Sequence, residues 1–430
     1  MSTSSAAMPV AITRTAPRVL IIAPHGSYRT FPYIAAAQRL GVRTVIASEG
    51  KHSIISAYAQ GLHVDFAELE SAIEQIRGEA RREPFVGVIG TDDATTELAA
   101  TIAELLNLPH NDPAAVRVAR RKDLARDALA TAAVPKPAHW HLDLTQPIAT
   151  QLNTVRYPVV VKPIALSASR GVIRADNAVE LDTAIVRIRA MLQRMPDLEP
   201  IAHQRLLIEE FIAGQEVAIE GMLTGGELAI LAIFDKPDPL NGPFFEETYY
   251  ITPSRWPAAI QQQMAVVVAQ VCQAYGLREG PVHAECRIND QGVFVLEVAA
   301  RTIGGMCSRL LRFGTGFSLE ELVLAQAMGR SMTLSTEQGA AGVLMIPIPQ
   351  AGVLKRVEGI LAAQQTPFIE EIDIQVRDGH ELIPLPEGSS YLGFIFARAP
   401  TPAQAEQALR AAHASLNFVI APMWKITKAI

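Results

Sequence analysis

A chain of 430 residues with 49% hydrophobic residues is long enough for several packed cores, and its formal net charge of −6 argues against a protein that coats nucleic acid. Its three cysteines, Cys272, Cys286 and Cys307, form no CxxC pair, which argues against a disulfide framework or a cysteine metal cluster and for a reducing compartment. No uninterrupted apolar stretch of about twenty residues occurs, and residues 1–17 read as a disordered leader rather than a signal peptide, so a cytoplasmic protein with neither membrane nor nucleic-acid partners is expected.

In chain order, Arg18–Ala23 reads as a buried strand, PHGSYR as a turn, Phe31–Leu40 as a helix stopped by Gly41, and Val42–Ala47 as a second strand. A helix over FAELESAIEQIRGEA and a strand over Phe85–Ile89 continue the alternation, which predicts a parallel α/β sheet. The loop after the first strand offers His25, Gly26, Ser27, Tyr28 and Arg29 at a carboxyl-end crevice, with a plain loop role for His25 as the alternative. Asp92 and Asp93 precede the next helix, and capping is the first reading for whichever of the two ends the loop, with a ligand role as the alternative. The spaced glycines of a dinucleotide fingerprint are missing. Pro109, Asn111, Asp112 and Pro113 mark a boundary, after which PAAVRVARRKDLARDALATAAV reads as one basic helix. Lys122 and Arg126 share a face of it, either as solvated cations or with Lys122 turned toward a triphosphate.

YPVVVKP, residues 157–163, places Lys162 at the end of a valine strand, where burial calls for an anionic partner and favours phosphate. In the following IALSASRGV loop, Ser167, Ser169 and Gly171 can turn backbone N–H groups toward phosphates, although the P-loop pattern is absent. LLIEEFIAGQEVAIEG reads either as a hairpin with outward acids or as a connector that holds adenine, with backbone groups of Glu210, Phe211 and Ile212 on its edge and Glu216 on ribose hydroxyls. A strand pair turns at Gly225 and Gly226, and GPFFEETYYITPS is expected to wall the site through Phe244, Glu246, Glu247 and Tyr249, with Glu247 holding an ammonium group. A helix follows over Pro257–Tyr275, ended by Gly276.

PVHAECRINDQGVFVLEVAARTIGG predicts two antiparallel strands turning at Asn289–Gly292. Glu285 and Glu297 then share hard Mg²⁺ ions while Arg301 faces phosphoryl oxygens, or both acids are merely solvated. His283 lies on the Glu285 face, placed for substrate binding or proton transfer or held as a core histidine. Gly304, Gly305 and Met306, with Arg301, outline an acid-binding side. From about Thr333, strands over AGVLMIPIP and Tyr391–Ala397 lead to a helix over Thr401–Leu416, and GSSYLG is either a turn over the site or a loop.

Lys122, VVVKP with its SRGV loop, LLIEEFIAGQEVAIEG, HAEC and FVLEVAARTIGG, in this order, resemble the ATP-grasp superfamily over about residues 18–330, especially its carbamoyl-phosphate-synthase-like and L-amino-acid-ligase branches. The resemblance implies an α/β chain, α+β in its nucleotide-binding part: an N-terminal parallel-sheet domain over 18–112, an ATP-grasp domain over 113–330 with a mobile lid near 150–210, and a small C-terminal domain over 331–430. By the same resemblance, Lys122 and Lys162 are phosphate lysines, Ser167–Gly171 the mobile loop, Glu209–Ile212 the adenine hinge, Glu216 the ribose glutamate, and Arg301 the arginine at the transferred phosphoryl group. Glu285 and Glu297 match the metal carboxylates, whereas Ala299 stands where the family often has asparagine.

The implied activity is ATP-dependent carboxylate–amine ligation through an acyl phosphate, with ATP and Mg²⁺, or Mn²⁺ in its place, small carboxylate and amine substrates, and a homodimer. Two joined amino acids fit best. The alternatives are an amino acid joined to another carboxylate, a carboxylase-like enzyme, and a non-catalytic ATP-binding sensor or assembly protein.

Overall fold

The computed structural model describes residues 15–49, 58–334 and 338–423, so most of the expected leader lies outside the described residues. The N-terminal elements are β1 (Arg18–Ile22), α1 (Thr30–Arg39), β2 (Arg43–Ser48), β3 (Gln60–His63), α2 (Leu69–Arg82), β4 (Gly87–Gly90) and α3 (Asp93–Leu105). Their strands form a parallel sheet in the order β3-β2-β1-β4. Central β1 is buried along its whole length, as a strand covered by helices on both faces must be. Edge strand β3, QGLH, is half exposed and carries one apolar residue, so its sequence gives no strand signal.

The single basic helix expected after residue 112 is two, α4 (Pro113–Arg120) and α5 (Lys122–Ala128), because Arg121 adopts an extended conformation. There the Arg121 guanidinium holds Asp123 and the Lys122 N–H donates to Ile164 O, so the break fixes where α5 begins. Then come β5 (His139–Asp143), α6 (Ile148–Gln151), β6 (Val159–Pro163), β7 (Ile173–Ala175), α7 (Ala178–Leu192), α8 (Pro200–Gln204) and β8 (Arg205–Glu210). Their strands make an antiparallel sheet, β5-β8-β6-β7, with Leu181, Ile185 and Ile188 of α7 packed on it.

The chain next enters a larger sheet through β9 (Gln215–Thr224), β10 (Glu227–Asp235), β11 (Tyr249–Thr252), α9 (Ala258–Tyr275), β12 (Gly280–Asn289) and β13 (Gly292–Ala299). Because β8 and β9 lie in different sheets, LLIEEFIAGQEVAIEG is a connector and not a hairpin. Gly214 turns it at φ 137°, where a Cβ would stand 2.3 Å from Ile288 O. Along β12 the side chains alternate. Val282, Ala284, Cys286 and Ile288 join Met264, Val268 and Val271 of α9 in one core, each large apolar side chain contributing about 1.5–3 kcal/mol on burial. His283, Glu285 and Arg287 are left on the opposite face.

After α10 (Leu311–Thr315) and α11 (Leu319–Ala327) come β14 (Ala340–Ile346), β15 (Gly352–Glu358), α12 (Ile360–Gln364), β16 (Ile369–Ile374), β17 (Glu381–Leu382), β18 (Gly393–Ala399), α13 (Pro402–Ala414) and β19 (Asn417–Ala421). The large sheet runs β13-β12-β9-β10-β11-β14-β18-β16, continuing across position 331, while β17-β15-β19 form a small sheet of their own. All three cysteines are free and buried. Among the described residues no helix is long and apolar enough to cross a membrane.

Candidate active site

A cavity of about 620 Å³ is lined from all three large sheets and from the loop after β1. It gathers Lys122, Lys162, Ser167, Ser169, Glu209, Glu210, Phe211, Ile212, Glu216, Glu247, His283, Glu285, Glu297, Arg301, Gly304, Gly305 and Met306. Of the residues singled out from the sequence for binding or catalysis, Gly171 is missing from the lining. Its N–H donates to Pro386 O, and a Cβ would stand 2.8 Å from Pro163 Cγ, so this glycine serves close packing and its N–H is committed away from a ligand. His25 is exposed and also outside the lining.

On one side cations outnumber acids. Lys162 Nζ lies 2.5 Å from Glu209 Oε2, and Arg126 Nε donates to Glu209 Oε1 at 2.5 Å while its other arm holds Leu296 O at 2.6 Å. Burial disfavours the charged Glu209 carboxylate, but Arg126 and Lys162 outweigh it and hold the group down at about 2. Arg126 is 2% exposed, so the solvated-face reading fails for it, while the four-residue spacing that points it and Lys122 the same way holds. Lys122 Nζ contacts both oxygens of Glu297 at 2.9 Å. Above them Ala168 and Ser169 take left-handed φ of 55° and 54°, folding the loop back over the cavity. In the hinge, the Phe211 N–H donates to Pro158 O and Ile212 O accepts from Arg287, so these two backbone groups are already engaged within the protein.

On the other side acids converge on one cation. Lys236, just past β10 and 3% exposed, donates to Glu216 Oε1 at 2.9 Å, to Glu285 Oε1 at 3.2 Å and to Glu247. Arg287 takes the second oxygen of Glu216 at 3.0 Å. Glu216 thus has both oxygens bonded to cations, with only second lone pairs left for the expected ribose contact. Glu247 does hold an ammonium, but that of Lys236. Burial and neighbouring Glu285 push the Glu247 carboxyl up to about 7 against the pull of Lys236. Glu285 is also penalised by burial, yet Lys236 and His283 hold it well below the usual carboxylate range.

The register explains this face: Glu285 is paired with Glu297 across β12 and β13, and His283 lies between Glu220 on β9 and Ala299 on β13. His283 Nδ1 is 2.6 Å from Glu220 Oε1 and Nε2 is 3.7 Å from Glu285. Burial opposes its charge, but the two carboxylates outweigh it and push the imidazole up to about 9, which favours the imidazolium at neutral pH. The carboxylates of Glu285 and Glu297, register partners on this face, supply oxygen donors that suit a hard divalent cation, and the lysines now bonded to them show where positive charge settles.

At the far end, Asp92, the acid that ends the loop, caps α3 as expected while its carboxylate accepts from Ser27 and Thr91; Asp93, the other candidate, pairs with Arg301 at 2.7 Å. Arg301, expected toward phosphoryl oxygens, is thereby tied to the N-terminal sheet, and its other arm donates to Thr302 O. Arg29 donates to Thr302 Oγ1 at 2.6 Å. Glu247 lines the wall as expected, while Phe245 and Tyr250 stand in place of Phe244 and Tyr249, and Glu246 is outside the lining. Tyr249 points to the opposite face of β11, where Arg410 covers it. GSSYLG is both things foreseen: Ser389, Ser390 and Tyr391 line the cavity, and the segment leads into β18. Sequence reasoning missed Lys236 and Arg287 and gave Arg126 no role beyond its place beside Lys122; Lys236 ends an apolar strand as Lys162 does, the one signal that would have found it.

Residues 155–309 match the ATP-grasp domain family, residues 34–110 the ATP-grasp N-terminal domain, and residues 344–421 the L-amino acid ligase C-terminal domain 2. The structure is similar to the crystal structure of L-amino acid ligase from Bacillus licheniformis, with a TM-score of 0.79 and 25% identity over 95% of this chain and 100% of that one. Among curated proteins, y4rH of Sinorhizobium fredii is 25% identical over 91% of this chain and 80% of its own length. Carnosine synthase 1 of Gallus gallus is 25% identical over 81% of this chain, which spans only 39% of that protein. The cavity built between sheets by motif-bearing strands and these three domain matches agree: the chain belongs to the ATP-grasp superfamily of ATP-dependent ligases.

Proposed function

We propose that this ligase joins two amino acids, activating the carboxylate of one as an acyl phosphate and releasing ADP and phosphate. The observation that carries the reading is the opposite charge balance of the two cavity sides, cation-rich around Glu209 and acid-rich around Lys236. In this reading Lys122 and Lys162 receive the triphosphate, residues 210–212 hold adenine, and Ser167–Ser169 close over the phosphates to keep water from the acyl phosphate. Glu285 and Glu297 would hold Mg²⁺, which supplies charge neutralisation on phosphoryl oxygens. The carboxylate oxygen attacks the γ-phosphorus and ADP leaves; the amine nitrogen then attacks the acyl carbon and phosphate leaves with the bonding pair. Arg301 and Arg29, beside Gly304–Met306, orient the carboxylate substrate. Glu247, poised near neutrality, takes the proton that the attacking amine releases. Lys236 sets that poise by sharing its ammonium among Glu216, Glu247 and Glu285.

The L-amino acid ligase likeness over 95% of the chain supports amino acids as substrates. A second reading, ATP binding without turnover, draws on Ala299 at the position where the family often has a neutral oxygen ligand. Incubating the chain with ATP, Mg²⁺ and pairs of amino acids, with ADP and product mass as readouts, separates the two. ADP formed only with the correct acid, and a product of the condensed mass, is expected. ATP binding with no acid-stimulated ADP from any pair rejects the ligase reading.

A further inference from the structure

A second group of ligating side chains stands outside the cavity, behind the hinge. Asp127, His139 and His141 each bring a ligand atom within 4.8 Å of the others. His141 Nε2 is 2.8 Å from Asp127 Oδ1, and His139 Nε2 is 3.9 Å from the same oxygen. The imidazoles stand edge to face with centroids 5.6 Å apart. This convergence has a simple origin. His139 and His141 are two residues apart on β5 and so share a face, and β5 is the edge strand of its sheet. Asp127 sits near the end of α5, which packs against that face through the Arg126–Glu209 pair, and Glu209 is the register partner of His139. The side chains of Asp127 and His141 are 57% and 40% exposed and that of His139 19%, so the group is open to solvent on one side.

We infer that Asp127, His139 and His141 form a site for a borderline divalent transition cation of the zinc type, with water as its fourth ligand. Two imidazole nitrogens and one carboxylate oxygen in a tight triangle suit tetrahedral Zn²⁺. Mg²⁺ demands oxygen donors in octahedral array and is the poor competitor here. The proton now shared by His141 and Asp127 occupies the place the cation takes. Arg126, the neighbour of Asp127 on α5, is paired with Glu209. A cation at this site ties α5, which carries Lys122 into the cavity and holds Glu209 through Arg126, to the edge of the β5-β8-β6-β7 sheet from outside. The site does not depend on the substrate reading above.

Titration of the full chain with Co²⁺ alone, in excess Mg²⁺, tests the assignment. One equivalent should give the intense visible absorption of four-coordinate Co²⁺, displaced by one equivalent of Zn²⁺. His139→Ala with His141→Ala should weaken binding by about 100-fold or more, and Asp127→Asn by about tenfold or more. Glu285→Gln, which disables the acid cluster in the cavity, should leave the band unchanged. Absence of the band, persistence of the band in the double histidine variant, or its loss in Glu285→Gln would each overturn the proposal; far-ultraviolet circular dichroism identifies which variants are folded, and Asp127→Asn decides the matter if the double variant is not.

Discussion

Two lysines, each at the end of an apolar strand and each nearly buried, keep opposite company. Lys162 meets Glu209 together with Arg126, so two cations share one carboxylate; Lys236 meets Glu216, Glu247 and Glu285, so three carboxylates share one ammonium. The first arrangement leaves positive charge in excess and suits a polyanion. The second counts four carboxylates once Glu220 on His283 is included, against Lys236, Arg287 and His283, and burial beside Glu285 pushes the Glu247 carboxyl up to about 7. A buried ionic residue therefore does not announce its ligand by its own sign; the balance of its neighbours does.

The comparison breaks most visibly at Lys236. Lys236→Met should cost about 3–5 kcal/mol, because it strands carboxylates that no other cation fully satisfies, and should abolish acid-dependent ADP release. Urea unfolding together with an ADP assay measures both, and near-normal stability would show that the three acids are not held as charges.

Glu209→Gln comes next, with a loss at neutral pH of about 3 kcal/mol from the depressed carboxyl. Because the folded-state value of about 2 lies below the ordinary carboxylate range, this stabilisation is present above about pH 4.5 and fades as pH falls through 2. The difference in unfolding free energy between wild type and variant should shrink over that window, and a pH-independent difference would mean that Arg126 and Lys162 do not hold an ionised Glu209.

Lys162→Ala sharpens the contrast with Lys236. Arg126 remains on Glu209, so stability should fall by only about 1 kcal/mol, while ATP affinity drops about tenfold, near the worth of one charge-assisted bond. Equal losses from the two lysine variants in urea unfolding would erase the distinction between the sides. The smallest effect is expected for Arg187→Ala, which breaks a half-exposed bidentate pair with Glu387. Stability should change by less than about 1 kcal/mol, with faster protease nicking of the 166–171 loop as the readout.

Much of this site was legible in order along the chain. Glu285, Glu297 and the turn between them follow from alternation in two adjacent strands, and Lys162 from a lone charge ending an apolar run. What stayed hidden is pairing between residues far apart in sequence. Lys236 carries the same local signal as Lys162, but that its partners are Glu216, Glu247 and Glu285 depends on β9, β10 and β12 lying side by side. Asp93 likewise has no visible partner in the sequence until Arg301, from the far end of the hairpin, is brought to it. The break at Arg121 is invisible because the residues there are ordinary helix formers, and a tertiary bond from Lys122 N–H to Ile164 O accompanies it. Along Phe244–Tyr250 the sequence reading found Glu247 but took Phe244 and Tyr249 for Phe245 and Tyr250, since in an extended segment one step moves a side chain to the other face.

The roof over the cavity is fastened from the other end of the chain. Gly171 N–H donates to Pro386 O, Arg170 Nε reaches Glu387 O across 217 residues of sequence, and Arg187 grips the Glu387 carboxylate. During synthesis, Lys122, Lys162, Glu285 and Glu297 leave the ribosome long before their roof has anything to fasten to. Closure of that long loop belongs to the late events of folding, so a ribosome-bound chain ending before Pro386 would carry the cavity's charges with its cover unpinned.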